Sequence, residues 1–375
     1  MLEERFSYLS FSAFPGIGSA RFRKLLVEFG TAKSAWNSAR RRLAEVIGDE
    51  QAEKFVSFKE KFSVEDYIKK LKEKDVWFVT LEDEEYPQLL RQIKNPPFVL
   101  YGKGDKKILR FAQDDNRTIA VVGARRTTEY GREVTKLLTT ELVLNGFTIV
   151  SGLALGVDAI SHMTALENQG KTIAILGCGV DCCNPSENQS IYNSILKSGN
   201  CIASEFPLGM KPTQWTFPAR NRIIAGLSQA VLVTEGAEDS GSLITANFAL
   251  KFNRKVFAVP GPITSTMSKG PYKLIAKGAK LVTNAKDILD ELKITNSPLR
   301  QGSAGQAKSK IQKGQTKEEQ TILDLLQNES LHFDEIVRKT EFNPSKLSSI
   351  LTLMEIKGMI KSLDGGIFSI LQMSS

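Results

Sequence analysis

Between residues 118 and 292, short apolar runs alternate with longer amphipathic or alanine-rich stretches. The runs TIAVVG, FTIVSG, TIAILG, AVLVTE, KVFAVPG and KLV predict strands, and the stretches between them predict helices. Continuously apolar strands separated by helices imply a mainly parallel sheet covered on both faces, an α/β, Rossmann-like domain. The strands run into glycine turns at Gly123, Gly152, Gly177, Gly236 and Gly261. Ligands of such sheets bind at the carboxyl ends of the strands, where glycine lets a phosphate approach the backbone.

The flanks follow other rhythms. Up to about residue 75 the pattern is that of short helices, with Phe11, Phe14, Leu25, Leu26 and Phe29 spaced for a buried face. Within it Pro15-Gly16-Ile17-Gly18 forms either a plain helical turn or the phosphate-holding turn of a SAM/helix-hairpin-helix-like module. From Val76 to Gly102 come the strand VWFVTL, a proline break at Pro96-Pro97, and FVLYG; KKILRFAQDDNR reads as a loop. Residues 293–317 hold six Lys or Arg, no acid, and much Gly, Ser and Gln, which predicts a flexible basic linker. EEQTILDLLQ, FDEIVRKT and PSKLSSILTLMEIKG predict three helices, and MIKSLDGGIFSIL a hairpin turning at Asp364-Gly365-Gly366; together they describe a winged helix. The expected domains are therefore 1–75, 76–292 and 318–375, joined across 293–317.

Composition narrows the class. A net charge of +8 favours polyanionic partners. The start lacks the layout of a signal peptide, and no apolar run is long enough for a membrane segment, so the cytoplasm is the expected location. Cys178, Cys182 and Cys183 crowd together, but neither His162 nor His332 stands at ligand spacing from them, so no metal is expected.

Several turns carry candidate chemistry. Gly123-Ala124-Arg125-Arg126-Thr127-Thr128 joins a strand to a helix start and combines two guanidiniums with two hydroxyls, a phosphate site. It lacks the G-x-G-x-x-G spacing of a dinucleotide fingerprint, and Gly170-Lys171-Thr172 lacks the upstream glycine of a P-loop, so no cofactor is expected. Phe217-Pro218-Ala219-Arg220-Asn221-Arg222, preceded by Trp215, pairs aromatics with arginines, as stacked bases and a phosphate backbone require; the alternative is core aromatics with surface arginines. Ser240-Gly241-Ser242 opens a helix and offers an anion cradle. No nucleophile elbow surrounds Ser242, and Asp158 with His162 at i, i+4 reads as a cap beside a packed histidine. No catalytic residue is expected.

Taken together, GARRTTEYG, SGLALGVDAISH, GCGVDCCNPSEN, FPARNRIIAGLS, TEGAEDSGSLITA and RKVFAVPG resemble the DprA/Smf family of bacterial DNA-processing proteins, over residues 76–292. The resemblance implies a non-enzymatic protein that binds and shields single-stranded DNA and helps load the RecA recombinase during natural transformation, acting as a homodimer. It implies DNA-binding roles for Arg125, Phe217, Arg220, Asn221, Arg222, Ser240, Gly241 and Ser242, and the reading of the glycine turns adds Gly123, Arg126 and Gly152 to the expected DNA-binding set. Because the motifs lie within 76–292, that segment is expected to hold most single-strand affinity alone. The chain departs from the family pattern at Asn184-Pro185 and at Gly270-Pro271-Tyr272-Lys273. Two rival readings remain: a nucleotide-hydrolysing or nucleotide-transferring enzyme with Glu235 as its acid, and a duplex-binding regulator reading DNA through the third winged-helix helix, whose cations are Lys346 and Lys357.

Overall fold

The computed structural model describes residues 3–109, 117–294, 316–326, 330–340, 342–357, 359–363 and 366–370. The described residues form two compact units, divided at Leu299 and Arg300.

The first unit is built on a nine-stranded sheet. Its strands are β1 (Trp77–Thr80), β2 (Val99–Gly104), β3 (Thr118–Val122), β4 (Thr148–Ser151), β5 (Thr172–Ile175), β6 (Cys201–Ser204), β7 (Ala230–Val233), β8 (Lys255–Ala258) and β9 (Lys280–Leu281). Their order across the sheet is β1-β2-β6-β5-β4-β3-β7-β8-β9. Strands β3 to β9 are mutually parallel, whereas β2 joins β6 and β1 joins β2 in antiparallel fashion. All six strands expected after residue 118 are present. β6 is additional, and it links the parallel sheet to the β1–β2 ribbon.

The pleat explains the uninterrupted apolar runs. Ala120 and Val122 face one core together with Val231 and Val233, while Ile119 and Val121 face the opposite core with Ala230 and Leu232. Both faces are buried, so neither residue of an alternating pair is polar.

Chain order sets the site. The strands run β3, β4, β5, β6 outward on one side, then return to place β7 against the other side of β3. This reversal opens a crevice above the carboxyl ends of β3 and β7, where doubly wound sheets bind ligands.

Residues 4–73 form six helices, Glu4–Ala13, Ser19–Phe29, Ala32–Trp36, Arg40–Ile47, Asp49–Lys59 and Val64–Glu73. Their aromatic core includes Phe11, Phe22 and Phe55, but also Phe98, Val99 and Tyr101 from the ribbon side. Phe22 stacks on Phe98 with ring centroids 3.9 Å apart. The Ser12 hydroxyl meets the Tyr101 hydroxyl in a buried hydrogen bond. The N-terminal helices therefore share a core with the β1–β2 ribbon, separate from the two cores on the faces of the parallel sheet.

In the second unit, helices Lys317–Leu326, Phe333–Thr340 and Pro344–Ile356 precede strands Ile360–Leu363 and Ile367–Ile370, a winged helix. The short strand Leu331–His332 adds a third edge to the wing. Lys346 pairs with Glu318 at 3.2 Å and Lys357 with Glu319 at 2.7 Å. The expected linker lies mainly outside the described residues, as do Asp364 and Gly365 of the expected turn and residues 110–116 of the expected loop. No helix among the described residues is long and apolar enough to cross a membrane.

Candidate nucleic-acid interface

A cavity of about 590 Å³ occupies the switch-point crevice. The turn after β3 forms one wall, with Gly123, Arg125 and Arg126. The helix Thr216–Leu227 forms the second, with Phe217, Arg220 and Asn221. The turn before helix Ser242–Lys251 forms the third, with Ser240, Gly241 and Ser242. Segments from three distant parts of the sequence thus meet at one mouth.

Each wall is held by identifiable bonds. Thr128 caps the helix Glu129–Leu144 by accepting from the Gly131 N–H at 3.0 Å. The buried Glu235 carboxylate, just past β7, accepts from the Thr128 N–H and hydroxyl, both at 2.9 Å. A charge-assisted bond to each oxygen fixes the end of the arginine-bearing turn. The candidate acid of the enzyme reading is therefore engaged in structure, and it does not line the cavity. Asn221 Nδ2 donates to the Gly241 carbonyl at 3.3 Å, tying the second wall to the third. The Ser240 and Ser242 hydroxyls bond to each other at 2.8 Å.

Arg125 and Arg126 are exposed at the rim. The Arg125 guanidinium lies 5.3 Å from the centroid of the Phe217 ring, within cation–π range. Phe217 in turn rests on Gly177, where a Cβ would come 3.0 Å from the ring. Arg220 differs from the rim arginines, being only 4% exposed, with Nη1 donating to the Ile175 carbonyl at 2.8 Å. Burial lowers its pKa, against the opposing pull of Asp158. It supplies a fixed positive charge to the cavity floor.

The floor is completed by the segment after β4. Asp158 is buried and accepts from the Gly152 and Ala154 N–H groups at 3.1 and 3.3 Å. Its pKa is raised by burial, while Arg220 pulls the other way. A Cβ at Gly152 would stand 1.6 Å from Arg220 Nη1, and one at Gly156, where φ is +76°, 2.2 Å from the Ala124 carbonyl oxygen. Only glycine permits these approaches. His162 is fully buried, with Nδ1 2.7 Å from the Thr172 hydroxyl, and burial depresses its pKa to about 3. It is a packed neutral imidazole.

Two expected site residues stand elsewhere. Gly152 lies beneath Arg220 rather than on the cavity lining. Arg222 points away from its neighbours in the sequence, paired with Glu205 and donating to the Ser19 hydroxyl. Successive helical residues are rotated by about 100°, so Arg220 and Asn221 face the cavity while Arg222 faces the N-terminal helices. Trp215, 55% exposed, also stands outside this cavity. At the departure beginning with Gly270, the Gly270 N–H donates to the Gly236 carbonyl at 2.8 Å, and Leu274 is buried. The four cysteines are free; Cys178 is buried in the bend after β5, with Sγ 3.1 Å from the Cys182 carbonyl oxygen.

Fold and site together define a class: a Rossmann-like α/β protein with a cationic, ring-bearing mouth at its switch point and a winged helix later in the chain. Comparison with known proteins narrows this further. Residues 77–293 match the family model for DNA recombination-mediator protein A, and residues 306–366 that of the DprA winged helix domain. The chain belongs to the DprA/Smf family of DNA-processing proteins. Protein Smf of Synechocystis is 38% identical over 291 residues, covering 77% of this chain and 73% of that protein. DNA processing protein DprA of Bacillus subtilis is 42% identical over 221 residues, covering 59% and 73%. The X-ray structure of DprA from Streptococcus pneumoniae matches with a TM-score of 0.66 at 33% identity, over 78% of this chain and 98% of that one. DprA from Helicobacter pylori, described for its single-stranded DNA binding mode, matches with a TM-score of 0.51 at 33% identity, over 58% and 95%.

Proposed function

We propose that this chain binds single-stranded DNA in the switch-point cavity, without turnover. The observation that carries this reading is the convergence of Arg125, Arg126, Arg220 and Phe217 on one mouth beside a helix start. Rim guanidiniums suit phosphates, the half-buried ring suits a base, and both needs recur along a single strand. The relative from Helicobacter pylori, described for its single-stranded DNA binding, supports a strand as the ligand class. On this reading the protein is a cytoplasmic homodimer that shields incoming strands and helps load RecA during transformation. The deciding experiment compares single-stranded and duplex DNA across a salt series. Single strands should bind more tightly, with a log–log slope of roughly −0.7 per phosphate engaged. A flat salt response, or equal affinity for duplex, would overturn the reading.

A further inference from the structure

A second cavity, of about 390 Å³, lies on the other side of the Thr216–Leu227 helix. The Pro15–Ser19 turn of the N-terminal helices forms one side of it. Trp215, Ala219 and Arg222 of the helix region, with Glu205 and Phe206, form the other. The first turns of one helix thus wall two cavities, with Phe217, Arg220 and Asn221 on one side and Trp215, Ala219 and Arg222 on the other.

Its lining has a definite chemistry. Trp215 is half exposed, its inner edge packed on Phe206 at 5.7 Å between ring centroids. Arg222 and Glu205 form an ion pair, their side chains only 13% and 12% exposed. One nitrogen and one oxygen serve that pair; the remaining Arg222 Nη1 and Glu205 Oε1 are buried without a hydrogen-bond partner. A buried donor and acceptor left unmatched are costly, and native structures rarely keep them so. Arg222 and Glu205 belong to a lining that also carries the indole of Trp215. A planar ring with a hydrogen-bond donor next to an acceptor on its edge carries a partner for each of these three groups. Every nucleobase has such an edge, so the match is to bases as a class.

We infer that this second cavity receives a base of the same single strand that occupies the first, the strand crossing the start of the Thr216–Leu227 helix with Trp215 as the stacking platform. The inference rests on the proposed single-strand binding. Helices with side chains are about 10–12 Å across, a span that the flexible backbone of a single strand can cross. The N-terminal helices then serve as the second jaw of the binding site.

The test uses the full chain and a labelled 20-nucleotide deoxythymidine strand, followed by anisotropy and by tryptophan emission. Trp215→Ala should weaken binding roughly 5- to 100-fold with an unchanged salt slope, the effect of losing one stacked base. Trp215→Phe should restore most of the affinity and remove part of the emission quenching that DNA produces. Ala219→Met, which narrows the second cavity and leaves the first open, should also weaken binding. Trp215 and Ala219 lie outside the core, so these variants are expected to fold, and circular dichroism checks that they do. If Trp215→Ala and Ala219→Met bind as the parent does while Arg125→Ala binds weakly, the second cavity holds water only and the inference is overturned. If Arg125→Ala and Phe217→Ala also bind as the parent does, single-strand binding at the first cavity fails as well.

Discussion

The Arg125 guanidinium sits over the Phe217 ring, 5.3 Å from its centroid. Read from sequence, the two residues invite separate roles, one for a phosphate and one for a base. Stacked together, they form one surface, in which the cation lends the ring electrostatic attraction and the ring restrains the cation.

Coupling of this kind is measurable. Arg125→Ala should make the salt slope shallower by about 0.7, one phosphate contact on a single strand. Phe217→Ala should cost about 1–3 kcal/mol through the lost stack. The double variant should lose less than the sum, with an interaction energy of about 0.5–1 kcal/mol. Anisotropy titrations of all four proteins at several salt concentrations give the cycle. Strict additivity would mean that the pair does not act as a unit.

Gly152→Ala should be far more damaging than its size suggests. The added Cβ would lie 1.6 Å from Arg220 Nη1, so the buried guanidinium must leave the Ile175 carbonyl. Overpacking of this kind costs about 1–3 kcal/mol, before counting the displaced charge. Thermal unfolding should show a lowered midpoint, and single-strand binding should weaken. A variant with the parent's midpoint and affinity would show that Arg220 is free to move.

Removing residues 1–75 should destabilise what remains. The sequence motifs suggest that 76–292 is self-sufficient, yet Phe98, Val99 and Tyr101 belong to the core of the N-terminal helices. Truncation exposes these buried side chains, at about 1.5–3 kcal/mol for each large apolar one. The truncated chain should aggregate, or unfold at a lower denaturant concentration than the full chain. Equal stability would mean that the ribbon repacks without its cover.

Stability should fall as the solution is acidified below about pH 6.5, because of His162. Its folded pKa is depressed to about 3 by burial and by Arg220, so between these values the unfolded chain binds a proton that the folded chain does not. The loss accrues at about 1.4 kcal/mol per pH unit in that window. Asp158 acts with the opposite sign: its pKa is raised, so acidification through its own window favours the folded chain. Denaturant melts of the parent and of His162→Gln between pH 4 and 7 separate the two. Parallel pH profiles would assign the acid sensitivity elsewhere.

Much of the fold was legible because burial on both sheet faces wrote itself into unbroken apolar runs such as Ile119 to Val122. β6 escaped because its four residues begin at Cys201 and end at Ser204, too short and mixed to stand out. The glycine turns and the arginines of the first cavity were legible as types. Their division between two cavities was not, although helical phase separates Arg222 from Arg220 and Asn221 and offered a signal. The burial of Arg220 beneath the mouth, and the packing of Phe22 on Phe98, depend on long-range contacts that local pattern does not encode.

The β3–β7 pairing also bears on how the protein comes into being. Val122 lies beside Val233, and Thr128 is tied to a carboxylate 107 residues further along the chain. Contacts of such sequence separation form late, because a long loop must close before they give anything in return. During synthesis the arginine-bearing turn emerges well before β7 and Glu235, the elements that hold it. The mouth is therefore absent from the growing chain until the strand on the far side of the reversal has been made and has docked.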